Sequence, residues 1–391
     1  MTELSSPFYH LHLHTEYSLL DGAIRLDSLL KRCSEYGMDA VSMTDHGTMF
    51  GVAEFYEKAR KASIKPVLGC EVYVAPRTLN DRTQMDHKGL NHLVLLAKDR
   101  EGYANLCKLV SIAQLKGFYY KPRIDRELLA RHSKGIIGLS ACLKGDIPQA
   151  IIQNNMDAAD NAARFYLETL GEGNFYLEVQ ENGMEIQQKV NAGIMDVSER
   201  LSIPMVATND CHYLSKGDAK AHEILLCIQT GDTFSNQNRF KFDSDQLYFK
   251  SSQEMKDSLG HFSNAIENTR EVVAKCNVEF DKKAYHFPRY AMTEDESEDE
   301  IFKEKAMAGF EGKLQRIKVK NPNVDETLYR ERIQYEIDII LNMGFPGYFL
   351  IVADFIAHAK KIGVPVGPGR GSAAGSMVAY AMDITALDPI E

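Results

Sequence analysis

The chain reads as an α/β protein: a seven-stranded βα barrel followed by a second unit of different character. Two patterns predict this. Up to about residue 228, short apolar, β-branched runs alternate with amphipathic stretches, as expected of βα repeats around a parallel sheet. After the acidic run Glu294-Asp295-Glu296-Ser297-Glu298-Asp299-Glu300, long helical periods take over and end in a glycine-rich string.

The first strand is expected over 8–14, where Phe8-Tyr9-His10-Leu11-His12-Leu13-His14 alternates, so that His10, His12 and His14 share one face. Further strands are expected near 40–44, 65–74, 92–97, 136–140, 174–180 and 204–208. Helices fit between them: Leu26 to Tyr36 closed by Gly37, Phe50 to Ala62, Gly102 to Ala113, Asp157 to Leu170 closed by Gly171, Met184 to Leu201, and Ala219 to Gln229. Seven such units approach a closed barrel. Residues 75–89 (APRTLNDRTQMDHKG) read as a polar loop close to the mouth of a site. A boundary near 281–300 divides the chain into 1–280 and 281–391, and the acidic run favours a helix amino terminus there. Asp325 to Met343 and Gly347 to Ile362 are predicted helices stopped by Gly344 and Gly363. A small-residue helix, Ala373 to Met382, follows the string Val364-Pro365-Val366-Gly367-Pro368-Gly369-Arg370-Gly371-Ser372.

The composition bounds what the chain can do. Among its 391 residues, 44% hydrophobic, no apolar run approaches a membrane span and no secretory signal precedes His10. Seven cysteines, odd in number and without a CxxC pair, point to a reducing cytoplasm. A net charge of −10 argues against strong non-specific duplex binding by this stretch, so any grip on nucleic acid is local.

Metal-ligating residue types gather at strand ends. In parallel βα barrels the chemistry collects at the carboxyl ends of strands, and His12, His14, His46, Glu71, Cys142, Asp210 and His212 fall late in an expected strand or just after one. His92 departs from that rule by beginning its apolar run. Asp45 stands beside His46 as a supporting carboxylate. Imidazole and thiol donors suit zinc, manganese or iron better than magnesium.

These motifs carry a resemblance. His12-Leu13-His14-Thr15-Glu16-Tyr17-Ser18 with Asp21, Thr44-Asp45-His46-Gly47, Gly69-Cys70-Glu71, Asn91-His92-Leu93, Ser140-Ala141-Cys142 and Thr208-Asn209-Asp210-Cys211-His212 resemble the polymerase and histidinol phosphatase (PHP) domain. The resemblance implies a distorted seven-stranded βα barrel with a trinuclear metal centre, its nine ligands being His12, His14, Asp21, His46, Glu71, His92, Cys142, Asp210 and His212. It implies that Glu71 bridges two ions, one with His12, His14 and Asp210 and its neighbour with His92 and Cys142, while Asp21, His46 and His212 hold the third. Cys142 stands where phosphatase members commonly have histidine, although a thiolate also binds zinc. Clustered divalent ions acidify water and offset phosphoryl charge, the basis of phosphoester hydrolysis. Members of the family with the full ligand set can act as 3′ to 5′ exonucleases, so the resemblance implies a proofreading activity as an expectation.

A second string points to phosphate. Glycine-freed amides over Gly367 to Ser372, with Arg370 as a charged donor ahead of a helix, can face an anion. Together with Gly344-Phe345-Pro346-Gly347-Tyr348-Phe349-Leu350-Ile351-Val352 and Leu387-Asp388-Pro389, the string resembles the palm of bacterial replicative DNA polymerase III alpha subunits. The resemblance implies a polymerase β-type nucleotidyltransferase palm, with Arg370, Gly371 and Ser372 on the triphosphate of an incoming nucleotide. Magnesium at the polymerase site, primer-template DNA, a sliding clamp and a separate proofreading exonuclease are the cofactor and partners it implies. The family's catalytic aspartates lie in a Pro-Asp-Phe-Asp-type motif beyond the glycine-serine turn, and none occurs before Glu391; Asp383 and Asp388 read as end-of-helix and turn residues. The expectation is therefore a truncated palm that does not polymerise DNA by itself. Two rival readings remain: a freestanding phosphatase, and a PHP domain that serves as a scaffold for a proofreading subunit or keeps its metal for folding.

Overall fold

The computed structural model describes residues 8–280, 288–290, 293, 296–369 and 371–391. The chain forms two compact units, one ending at Phe280 and one after it. Among the described residues no single helix is long and apolar enough to cross a membrane.

The first unit alternates helices and strands: α1 (Leu26–Glu35), β1 (Ala40–Met43), α2 (Val52–Lys61), β2 (Lys65–Val74), α3 (Gln84–Lys88), β3 (Asn91–Ala97), α4 (Arg100–Leu115), β4 (Arg123–Ile124), α5 (Arg126–Arg131) and β5 (Ile136–Leu139). It continues with α6 (Asp146–Ile152), α7 (Met156–Leu170), β6 (Phe175–Gln180), α8 (Glu185–Leu201), β7 (Met205–Thr208), α9 (Ala219–Thr230), α10 (Ser252–Leu259) and α11 (Glu267–Lys275). The sheet runs β1-β2-β3-β5-β6-β7, with β4 added to β2.

The sheet is mixed, which corrects the expectation of an all-parallel one. Strand β3 lies antiparallel to both neighbours, with His92 opposite Tyr73 and Ala97 opposite Ile136. The β2–β3 connection explains the reversal. Its one helix, five-residue α3, rises roughly 7.5 Å, far less than the roughly 33 Å spanned by ten-residue β2. The chain therefore turns back beside β2 instead of crossing over.

The expected first strand is the second correction. Residues 8–14 form only an isolated bridge, Leu13 with Cys211, yet hydrogen-bond on both sides. The amides of Ser42 and Thr44 donate to His10 and Leu13 carbonyls at 3.0 and 2.9 Å; the His14 amide donates to Cys211 at 2.8 Å. The segment thus closes the sheet between β1 and the residues after β7. Tyr9 and Leu11 join the cluster inside the sheet, whereas Phe8 and Leu13 join the one under the helices. Alternation changes phase between Leu11 and His12, which is why no regular ladder forms and why His10 does not share a face with His12 and His14.

The inner face grades from apolar to polar along each strand. Val67, Val94, Leu96, Ile137, Leu139, Tyr176 and Val206 fill one end together with Val272, Val273 and Cys276 from α11 and just after it. Two or four residues further on at the same parity come Glu71, Glu178 and Thr208, all buried. Because β3 runs backwards, its order is reversed and His92 precedes Val94. That resolves the departure of His92 from the strand-end rule: its amino-terminal end lies where the parallel strands finish.

The second unit is helical among its described residues: α12 (Glu298–Lys320), α13 (Glu326–Asn342), α14 (Pro346–Lys361), a 3-10 turn over Gly371–Gly375, and α15 (Met377–Ala381). Phe302, Ala306, Phe310 and Leu314, spaced four apart, put one buried stripe of α12 against Ile333, Ile337 and Ile340 of α13. The helix expected over Ala373 to Met382 is broken at Ser376, whose hydroxyl caps α15 through the Ala379 amide.

Candidate metal centre

The nine motif residues come together at the polar end of the inner face. Glu71, on the inner row of β2, sits among four imidazoles. Its Oε1 lies 3.2 Å from His12 Nε2 and 2.9 Å from His92 Nδ1; its Oε2 lies 2.5 Å from His46 Nδ1 and 3.8 Å from His14 Nε2. Asp210 Oδ1 lies 3.2 Å from His12 Nε2, 3.1 Å from His14 Nε2 and 3.6 Å from His212 Nδ1. Asp21 presents Oδ2 to His46 Nε2 at 3.1 Å and Oδ1 to His212 Nε2 at 3.7 Å. Cys142 Sγ is 3.9 Å from Glu71 Oε1 and 3.8 Å from His92 Nδ1. The sets His12, His14, Glu71; His46, Glu71, His92; and His14, His46, His212 each have donor atoms within 4.8 Å of one another.

Local structure holds these groups. The Asp45 carboxylate accepts from the Thr15 amide, the Thr15 hydroxyl and the Ser18 hydroxyl at 2.6, 2.9 and 2.8 Å. Ser18 Oγ in turn stands 3.2 Å from His14 Nδ1 and accepts from the His46 amide at 3.1 Å. Asp45 therefore orients the turn between His14 and Asp21 without facing the centre. Asp210 has φ +47°, a left-handed bend that redirects the chain after β7.

Three residues were not legible as site members. Glu178 of β6 is fully enclosed: it lies 3.0 Å from His12 Nδ1 and accepts from the Ala141 amide at 2.7 Å and the Thr208 hydroxyl at 2.5 Å. The available signal is a lone carboxylate in the apolar run Phe175-Tyr176-Leu177-Glu178-Val179. Ser18 acts as just described. His222 of α9 is 2% exposed, and its Nε2 is 3.5 Å from Asp21 Oδ1. His10 is the converse case: it faces away, with Nε2 2.8 Å from the Lys250 carbonyl and Nδ1 3.3 Å from Cys211 Sγ.

The electrostatics call for positive charge. Burial works against charge on His46, yet Glu71 and Asp21 overcome it and hold its imidazole up at about 10. Burial opposes charge on His12 too, but Asp210, Glu178 and Glu71 raise it well above the ordinary value. His14 goes the other way, to about 3, through burial and the neighbouring imidazoles of His46 and His212. Although burial disfavours its charge, Glu71 is held well below the carboxylate range by His92, His46 and His12. Burial, with Asp210 and Glu71 nearby, pushes the Cys142 thiol up.

The donors fit a group of cations. His12 Nε2, Asp21 Oδ1, His46 Nδ1, Glu71 Oε2 and His222 Nε2 are buried without hydrogen-bond partners. Several of these atoms lie close together but off the line of a hydrogen bond, as donors aimed at shared ions do. An N, O and S set suits transition metals.

In the second unit, Arg370 lies outside the described residues. Gly371 and Ser372 occupy the exposed 3-10 turn, not the lead-in to a long helix. The first amides of α15 are already engaged, the Val378 amide by Glu336 at 3.1 Å. Asp383 accepts from Lys313 and Asp388 from the Tyr329 hydroxyl, in keeping with turn roles.

The chain is similar in sequence to known proteins. Residues 10–182 match the PHP domain model and residues 300–391 match the bacterial DNA polymerase III alpha NTPase domain. The chain is 42% identical over 408 residues to DNA polymerase III subunit alpha of Helicobacter pylori, covering 98% of this chain and 33% of that protein. It is 41% identical over 384 residues to that of Treponema pallidum (98% and 32%) and 40% identical over 441 residues to that of Thermus aquaticus (98% and 36%). Among solved structures, an amidohydrolase from Chromobacterium violaceum aligns at TM-score 0.36 and 15% identity, over 52% of this chain and 87% of that one. A two-domain protein from Bacteroides vulgatus, containing a predicted PHP-like metal-dependent phosphoesterase, aligns at TM-score 0.31 and 12% identity, over 66% and 63%. The chain spans about a third of the length of the curated relatives it matches. With both domain matches in order and at least 40% identity over 98% of its residues to each of these three relatives, it belongs to the DNA polymerase III alpha subunit family.

Proposed function

We propose that the PHP unit is a metal-dependent phosphoesterase that removes nucleotides from the 3′ end of single-stranded DNA, within a protein whose full-length form carries out DNA-directed DNA synthesis. Two to three zinc, manganese or iron ions are held by His12, His14, Asp21, His46, Glu71, His92, Cys142, Asp210 and His212. The observation that carries this is Glu71, whose two oxygens face different imidazoles and suit a bridging carboxylate. His12, His14 and Asp210 serve one side of it, His92 and Cys142 the other, and Asp21, His46 and His212 a third position. When bound, such ions supply Lewis acidity that ionises a water near neutral pH and offsets charge on a phosphoryl oxygen. The chain's own task is to present donors in the right protonation state. Glu178 takes the Nδ1 proton of His12 as a hydrogen bond and leaves the Nε2 lone pair turned inward. No side-chain nucleophile is needed.

In the full-length protein, Arg370, Gly371 and Ser372 contact the incoming nucleotide's triphosphate beside a magnesium-dependent site. Its partners are primer-template DNA, deoxynucleotides and the sliding clamp, with a separate proofreading subunit joining them under the scaffold reading. A scaffold role is the second reading, favoured by burial: His12, His14 and Glu71 are core residues as well as donors, so metal there also contributes folding free energy.

The deciding experiment sets single-stranded DNA against histidinol phosphate and deoxynucleotides, using wild type and Asp21→Asn. Manganese- or zinc-dependent release from the DNA 3′ end, lost by at least about 100-fold in the variant, is expected. Equal turnover in the two proteins would assign the activity to a contaminant. Elemental analysis finding no bound metal would remove the metal reading altogether.

A further inference from the structure

We infer that His222 is a tenth member of the metal centre, a direct ligand to the ion held by Asp21 and His212; this rests on the metal reading proposed above. Nothing in the family motifs includes this residue, which belongs to helix α9 and not to a strand end. Three observations carry the inference.

His222 is 2% exposed, and its Nε2 is buried with no hydrogen-bond partner. Asp21 Oδ1 is likewise buried and unpartnered. Burying a polar atom without a partner is destabilising, so two such atoms facing each other mark a place where something else binds.

The spacing then identifies what binds. Asp21 Oδ1 lies 3.5 Å from His222 Nε2 and 3.7 Å from His212 Nε2. Both separations exceed an N–H···O bond of about 2.7–3.2 Å. Two ligands of one tetrahedral ion, each at about 2.0–2.1 Å, stand roughly 3.3 Å apart. The atoms are thus near enough to share an ion, and at 3.5 and 3.7 Å their direct contacts are long for hydrogen bonds.

The ring is also held in place. It lies 5.4 Å from the His212 ring, 5.3 Å from Tyr213 and, nearly parallel, 5.9 Å from Phe242. With Nε2 aimed inward, α9 closes the Asp21 corner from the helical side. Asp21, His46 and His212 alone give three donors, and His222 completes four, the number that zinc prefers.

The test compares metal stoichiometry and affinity in the full 391-residue chain for wild type, His222→Gln and the control His132→Gln, a histidine far along the sequence on no motif. Each protein is stripped, reloaded with zinc alone and assayed by elemental analysis and chelator competition, with circular dichroism and thermal melting as folding checks. Cobalt substitution reports the ligand set directly through its visible absorption. The expected result is a folded His222→Gln protein that loses one ion, or binds the weakest ion at least tenfold less tightly, with an altered cobalt spectrum. Unchanged stoichiometry, affinity and spectrum in a wild-type protein that does hold metal would overturn the assignment while leaving the metal reading intact. A wild-type chain without metal would overturn both. If His222→Gln fails to fold, His222→Asn and His222→Cys replace it, a cysteine ligand being expected to restore binding and to shift the cobalt spectrum toward sulfur coordination; failure of cysteine to do so would count against ligation.

Discussion

A single proton decides what His12 offers. Glu178 lies 3.0 Å from His12 Nδ1 and is itself fixed by the Ala141 amide and the Thr208 hydroxyl. Replacing it with glutamine leaves size and burial nearly unchanged but removes the carboxylate that sets the tautomer. Glu178→Gln is expected to weaken zinc or manganese binding by about 10–100-fold, read by chelator competition; an unchanged affinity would remove Glu178 from the centre. Protons and cations also compete for the same donors. Glu71 and Asp21, overcoming burial, keep His46 protonated up to about 10, and His12 is raised as well. Cations must displace those protons, so apparent metal affinity is expected to rise with pH across about 6–9, with proton release on binding. Calorimetry in buffers of different ionisation enthalpy measures that release, and a flat pH profile without it would show that His46 and His12 are not protonated in the metal-free protein.

At the scale of elements, the polar stretch after β2 is far more ordered than its composition implies. The sequence reads residues 75–89 as a loop, yet they hold α3, started by a Thr83–Asp86 capping box and tied by Arg77 to Asp86 at 2.9 and 2.7 Å. The main anchor comes from elsewhere: Arg123 of β4, fully buried, donates to the carbonyls of Leu79, Asp81 and Gly117 at 2.9, 2.8 and 2.9 Å. Arg123→Met would leave those carbonyls unmatched and is expected to cost about 3 kcal/mol or more. Urea denaturation gives the loss, and faster proteolysis between 75 and 89 would localise it; unchanged stability would show that the carbonyls find other donors. Two-residue β4 is not legible in the sequence because it exists only by pairing with distant β2, and α3, although it has a local capping signal at Thr83 and Asp86, is too short at five residues to show an apolar period. The strands and helices with a clear period, such as β2, β6, α7 and α8, fall within a few residues of where periodicity places them, since local alternation is what buries one of their faces.

For the molecule as a whole, the first unit places its ionisable donors at one end of an otherwise apolar interior. Ions bound there favour the folded state by mass action. With free ion about 100-fold above its dissociation constant, one site stabilises by about 2.7 kcal/mol, or roughly 5–10 °C for a unit of this size. Stripping metal with a chelator is thus expected to lower the first unit's melting temperature by at least that much, and zinc or manganese should restore it. Scanning calorimetry on the intact chain checks this; an identical trace with and without chelator would leave the donors without an ion. The same arrangement explains the absence of a regular ladder at the sheet's closure, where residues 8–14 hydrogen-bond to both sides while turning His12 and His14 inward.

The α/β class, most element positions and the seven metal-ligating residue types at strand ends are local properties of the chain and are readable from periodicity and side-chain chemistry, whereas Asp21 and His92 join them only through the family resemblance. Only the tertiary structure decided the direction of β3, the phase change that sends His10 away from its neighbours, and the presence of Glu178 and His222 beside the donors. These depend on which segments meet across long separations, and alternation fixes which side of a strand a residue occupies without fixing the strand's direction or its partner.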